Sequence, residues 1–400
     1  MAHHYIPFAN SDNDWPVVSS LYSESAGCRV TLQSVQKGTS AVLPGLKLWV
    51  DAEVDGLQSP EILADAYEIN TKYKKYVSKF ENWELIANPE FQRSPDKEAT
   101  IAFVRAALNT ATAAVPNLRW LSVPQLPYTD GPDRNKINRF LANAALRWKM
   151  ESRRSVQLIL PVIFAKNSGQ TDSKTNRNKK VDLAVSCFEA SGADGVWVVD
   201  STLDDLLGVS NFEDVRFPGL IKFHEELNAK LPPKTRTVAG PYWGLNLVLW
   251  ARGLVGCPAI GTGRSYRYYL PGGFQKEGDP RIALPPLRRL AVCSPGLKTW
   301  LEEVTGRLSK GDPVHENLLK LLQSFDTFYV KNRARRQVAD FYKDWLGKLE
   351  SVSGDTRGLT LYQDFSSAFV LGKKLKHPIP RPEKVRSAAL IAKQFMVNCL

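Results

Sequence analysis

The chain has 400 residues and a formal charge of +12, with 43% hydrophobic, 24% charged and 10% aromatic residues. These values exclude a disordered or collagen-like polymer and fit one large α/β domain, or a domain of about 250–290 residues followed by a smaller one. Residues 288–400 carry 20 Lys/Arg against 11 Asp/Glu, so most of the excess charge sits in the last quarter, where it marks either a polyanion-binding surface or a solvated helical face.

The N-terminal run MAHHYIPFAN has no basic segment followed by an apolar one, and no stretch of 18 apolar residues occurs; the expectation is a cytoplasmic chain that neither is secreted nor spans a membrane. Short apolar, β-branched runs then alternate with longer helical segments. The strands are expected at Tyr5–Ala9, Leu46–Asp51, Arg119–Val123, Val156–Phe164, Gly195–Asp200, Thr235–Gly240 and Pro258–Gly261. The helices are expected at Pro60–Phe80, Lys97–Ala114, Lys136–Glu151, Lys179–Ser191, Pro218–Lys230 and Trp243–Arg252. This order predicts a (β/α)8-type barrel over 1–285, its missing strand hidden in Arg29–Val35, with an open doubly wound sheet as the alternative. Ser59-Pro60 reads as a helix start, and Gly192 as a left-handed helix end before the strand at Gly195. The polar segment Asn167–Lys180 reads as a mobile loop on the C-terminal face of the barrel.

After Arg281 helices replace strands: Leu297–Leu308, Val314–Leu349 and Arg386–Leu400 are amphipathic, with one further strand candidate at Gly358–Tyr362. Residues 286–400 are thus expected to form a basic α-helical domain. Its aromatic stripe, Phe325 to Trp345, is interleaved with Lys331, Arg333, Arg335 and Arg336. The stripe suits a helical core first and a base-stacking platform second, and the four cations are candidate nucleic-acid contacts. The same helices could instead dock a protein partner.

Parallel α/β scaffolds keep chemistry where strands end. In LWVDAEVDG, Asp51, Glu53 and Asp55 would share a face if the strand runs on, raising one another's pKa or requiring a cation, which suits acid/base work or a divalent ion; the alternative is a surface turn. Asp200 closes the apolar run GVWVVD and is the second candidate catalytic carboxylate. Gly261, Gly263, Arg264 and Arg267 follow a late strand in a G-x-G-R-x-x-R pattern whose backbone and guanidinium groups suit an anion. Gln125 and Tyr242 follow two other strands as candidate substrate contacts. The five cysteines are widely spaced and the five histidines scattered, so neither a disulfide framework, a metal site nor a Ser-His-Asp triad is signalled, and no cofactor is expected.

Over residues 45–275 the order of segments resembles the tRNA-guanine transglycosylases and their DNA-modifying relatives. The likeness runs from the strand ending in Asp51 through Arg147-Trp148, the strand and loop Leu160–Gly169, Gly192-Ala193-Asp194-Gly195, Thr237–Gly240 and Arg252-Gly253 to Arg264. It implies a (β/α)-barrel that exchanges a base in nucleic acid, with Asp51 at the position of the family's early Asp. Leu254–Ile260, where the family carries a nucleophilic Asp, has no carboxylate here, and the Cys/His zinc site has no counterpart. The leading expectation is a nucleic-acid-directed barrel protein of transglycosylase-like type or a diverged relative. The other two are a non-catalytic scaffold subunit of a nucleic-acid system and a barrel enzyme for a phosphorylated or sugar-like metabolite.

Overall fold

The computed structural model describes residues 5–9, 14, 17–18, 27–36, 47–58, 63, 68–115, 118–129, 131–164, 171–200, 217–242, 245–261, 280–330 and 332–376. Eight parallel strands close on themselves in sequence order: β1 (Ile6–Ala9), β2 (Cys28–Thr31), β3 (Leu48–Asp51), β4 (Leu118–Ser122), β5 (Gln157–Phe164), β6 (Gly195–Asp200), β7 (Arg236–Ala239) and β8 (Cys257–Gly261). β8 closes the ring on β1, with Ala259 opposite Ile6 and Gly261 opposite Phe8. The strands read as apolar runs because both faces are covered, one by the lumen and one by helices. Gly195 is needed where β6 and β7 approach, since a Cβ there would lie 2.7 Å from the Arg236 carbonyl oxygen.

The helices of the barrel are α1 (Leu32–Gln36), α2 (Glu68–Val77), α3 (Trp83–Ala87), α4 (Pro89–Arg93), α5 (Lys97–Ala114), α6 (Lys136–Ser152), α7 (Lys174–Ser191), α8 (Phe217–Lys230) and α9 (Leu245–Ala251). Their ends follow local chemistry. The Asp96 side chain accepts from Ala99 N at the start of α5, and Gly192 ends α7 in the left-handed conformation at φ 56°.

Beyond the barrel come a hairpin, β9 (Arg281–Leu284) with β10 (Arg289–Val292), and the helices α10 (Pro295–Arg307), α11 (Pro313–Gln323), α12 (Arg333–Glu350) and α13 (Gly354–Lys374). The hairpin, α10 and α11 share one apolar cluster. Phe341, Tyr342, Trp345, Leu349, Leu361 and Phe365 instead join the core between the barrel strands and their helices. Tyr342 Oη donates to the Tyr242 carbonyl, and the Arg357 guanidinium carbon lies 3.9 Å from the ring centroid of Trp250 in α9. The aromatic stripe is therefore mostly core.

Several expected elements are corrected. The hidden strand is Cys28–Thr31, and Leu32–Gln36 is helical. Lys174–Lys180 is not loop but the opening of α7, capped by the Ser173 side chain on Asn176 N. Gly358–Tyr362 lies inside α13, not in a strand. Val314–Leu349 is broken by a 3₁₀ turn at Phe325–Tyr329. The hairpin at Arg281–Val292 was not expected at all. Ser59-Pro60 and Arg386–Leu400 lie outside the described residues, as do Asn167–Gln170. Among the described residues no helix is long and apolar enough to cross a membrane.

Candidate functional site

Strand alternation sends Phe8, Trp49, Trp120, Ile159, Trp197 and Val238 into the lumen. Phe8, Trp49 and Trp197 meet edge to face with centroids 5.2 to 5.4 Å apart and form an aromatic floor below the C-terminal mouth. Their indole N–H groups are used internally: Trp49 Nε1 donates to Ser122 Oγ (2.9 Å) and Trp197 Nε1 to the Gly240 carbonyl (2.6 Å).

One charge is built into this floor. Arg29, in the middle of β2, is fully buried, and its guanidinium carbon lies 5.2 Å from the ring centroids of both Phe8 and Trp197. Its Nη2 and Nε donate to Asp51 Oδ2 at 2.6 and 3.2 Å, across the pairing of β2 with β3. A buried guanidinium needs such a partner, because an unpaired one would carry the full cost of leaving water.

The second carboxyl is set by a turn. β3 ends at Asp51, whose Oδ1 accepts from Glu53 N (3.0 Å). Glu53 takes a left-handed φ of 49°, and residues 55–58 form a 3₁₀ turn. The expected continuation of the strand through Asp55 is therefore corrected: the turn, not strand alternation, places these acids. Two tyrosines of α2 hold the turn by its carbonyls, Tyr76 Oη on Ala52 (2.6 Å) and Tyr73 Oη on Glu53 (2.9 Å). Glu53 Oε1 then stands 3.8 Å from Arg29 Nη2, with 27% of its side chain exposed. Burial pushes its pKa up to about 8; Arg29 opposes the rise, the Asp51 and Asp55 carboxylates add to it, and a hydrogen bond with Thr31 opposes it again.

The remaining candidates do not gather here. Asp200 pairs in register with Phe164, which packs on Phe223 of α8, so it lies on the helix-facing side of β6 while Asp51 follows Trp49 into the lumen. Tyr242 is buried, and its hydroxyl serves the β6 backbone, accepting from Asp200 N and donating to the Val198 carbonyl. Gln125 turns toward α6, its Nε2 donating to the Pro124 and Asn138 carbonyls (both 2.9 Å). Gly261 ends β8 at the mouth, opposite Phe8. Gly263, Arg264, Arg267 and Lys331 lie outside the described residues. Arg335 pairs with Asp14 (3.1 Å), whereas Arg333 and Arg336 are exposed at the start of α12.

No family model matches this chain, and no curated protein matches it either. The likeness in segment order to the transglycosylases is thus matched in the structure by the closed barrel alone. Among the described residues no group of His, Cys, Asp or Glu is arranged to hold a metal ion. Arg29, Trp49 and Trp197 were not singled out in the sequence; the available signal was an arginine inside the short buried run Cys28–Thr31.

Proposed function

We propose that this chain is a nucleic-acid-directed barrel protein that works at the C-terminal mouth by proton transfer, with Glu53 as the acid and Asp51, tied to Arg29, as the fixed carboxylate beside it. The observation that carries the reading is the placement of Glu53, half-buried at the mouth 3.8 Å from Arg29 and beside the Arg29-bound Asp51; burial pushes its pKa up to about 8, which favours the protonated acid at neutral pH. Glu53 protonates the departing base as the bond at the sugar carbon breaks, and water or an incoming base forms the new bond at that carbon and returns a proton to Glu53. Asp51, tied to Arg29, fixes the turn that carries Glu53. The basic last quarter of the chain suits a polyanion. The reaction class is therefore cleavage or exchange at a nucleoside glycosidic bond. Arg29 is a positioning residue that holds Asp51 in place.

The test is release or exchange of a labelled base from single-stranded and stem-loop oligonucleotides, followed by chromatography. Glu53→Gln should lower the rate by about 10²–10⁴-fold, and the wild-type rate should fall as pH rises past about 8. Turnover of a nucleoside or phosphorylated sugar but of no oligonucleotide would transfer the site to a small metabolite. No turnover of either, or a Glu53→Gln variant as active as wild type, would sink the reading.

A further inference from the structure

A cleft of about 650 Å³ opens between α11, the 3₁₀ turn at Phe325–Tyr329 and α12. Five cations line it, Arg288, Lys320, Arg333, Arg336 and Lys348, against two acids, Asp340 and Asp344. Arg288 and Lys348 share the single Asp364 carboxylate at 3.1 and 2.6 Å. Lys320, Arg333 and Arg336 make no ion pair among the described residues. Arg336 feels the Asp340 carboxylate, yet five cations against Asp340, Asp344 and Asp364 leave an excess of positive charge on one concave surface, which marks a site for a partner with several negative charges.

The start of α12 strengthens this. Arg333 and Arg336 lie in the first turn of an 18-residue helix, where the backbone already presents partial positive charge; that turn contains no acid, and the N-cap Asn332 makes no side-chain capping bond. Cations placed there repel the helix end, and an anion bridging them to it removes that repulsion. Tyr329, one residue on from the lining Phe328, keeps 48% of its surface exposed, its ring edge-to-face with Phe325 at 6.0 Å. Phe341 and Trp345 are buried and serve as wall.

We propose that this cleft binds a single strand of nucleic acid, its phosphates on Lys320, Arg333 and Arg336 and a base on the ring of Tyr329. The volume encloses a small ligand or about one or two nucleotides and not a duplex, and alternating phosphate and base contacts are how unpaired strands are held. The site rests on the nucleic-acid reading above and adds where the strand is gripped, apart from the barrel mouth.

Fluorescence anisotropy of the full chain with labelled oligothymidylate and oligouridylate tests it. Three phosphate contacts on a single strand predict about a 20-fold loss of affinity between about 50 and about 200 mM salt. The triple variant Lys320→Ala, Arg333→Ala, Arg336→Ala should flatten that dependence by about two units of slope, while Tyr329→Ala weakens binding about tenfold and leaves the slope unchanged. A matched loss of charge on the barrel helices, Arg105→Ala, Arg147→Ala, Lys230→Ala, should leave binding within about twofold, and circular dichroism confirms that each variant is folded. Equal losses in the two triple variants overturn the site while leaving a nucleic-acid function elsewhere open. Failure of wild type to bind either strand overturns both, and tighter binding of polyglutamate than of either strand gives the cleft to an acidic protein partner. Cleft-dependent strand binding without base release supports the cleft and removes only the chemistry assigned to Glu53.

Discussion

Glu53 makes the stability of the fold depend on pH in a direction opposite to that of an ordinary salt-bridged acid. Its carboxyl titrates near 4.5 when unperturbed and near about 8 in the fold, because burial disfavours its charge. Between those values the folded chain retains a proton that the unfolded chain has released, so stability is full below about 4.5 and is withdrawn as pH rises through about 8. At ~1.36 kcal/mol per unit the ceiling is ~4–5 kcal/mol. Its 27% exposure and Arg29 at 3.8 Å screen the charge, so ~2 kcal/mol is the expected loss. Glu53→Gln keeps the shape and removes the titration. Urea unfolding followed by the fluorescence of the buried tryptophans, at about pH 5.5 and about pH 9, should show wild type losing ~2 kcal/mol more than the variant across that window. Parallel pH dependence in the two proteins would refute the placement of a half-buried acid at the mouth.

The same reasoning gives two further outcomes. Arg29→Met leaves Asp51 buried without its cation and should cost ~3–5 kcal/mol, with the double variant Arg29→Met, Asp51→Asn costing clearly less than the sum of the single changes in denaturant titration. His224, buried in α8, has both ring nitrogens without a hydrogen bond among the described residues, and burial lowers its pKa to about 3. The unfolded histidine gains a proton below about 6.5, so the fold loses stability as pH falls from there toward about 3. His224→Leu should melt later than wild type at about pH 4 by more than at about pH 7, and an equal shift at both would show that the histidine has a partner.

The barrel was legible because strands buried on both faces are continuous apolar runs, and helices alternate with them. β2 hid for the opposite reason: its four residues include Arg29, and α1 follows without a break. The opening of α7 read as loop because two of its buried positions are charged. Arg177 is buried against Glu226 (2.9 Å) and Lys180 against the Thr129 carbonyl, so partners rather than apolar residues satisfy that face and hydrophobic periodicity vanishes. Gly358–Tyr362 has strand composition, yet Leu361, Phe365 and Ala368 recur at helical spacing, and that longer pattern prevails.

At the mouth, the cluster Asp51, Glu53 and Asp55 was visible, but the geometry that gives it chemistry was not. Alternation along an extended strand would have placed all three acids side by side, whereas the left-handed turn at Glu53 leaves Asp51 in the lumen and brings Glu53 back over Arg29. Asp200 looked equivalent to Asp51 because both close an apolar strand. Alternation separates them, since Trp49 and Trp197 both face the lumen and Asp51 stands two residues after its tryptophan, Asp200 three. A strand-end acid on a closed barrel therefore acquires meaning only once the lumen-facing register is known. In this chain that register is announced by a residue that breaks the apolar rule: an arginine in a four-residue buried strand has to find a carboxylate inside the barrel, and Asp51, on the neighbouring strand two residues after Arg29's own register partner Trp49, supplies it.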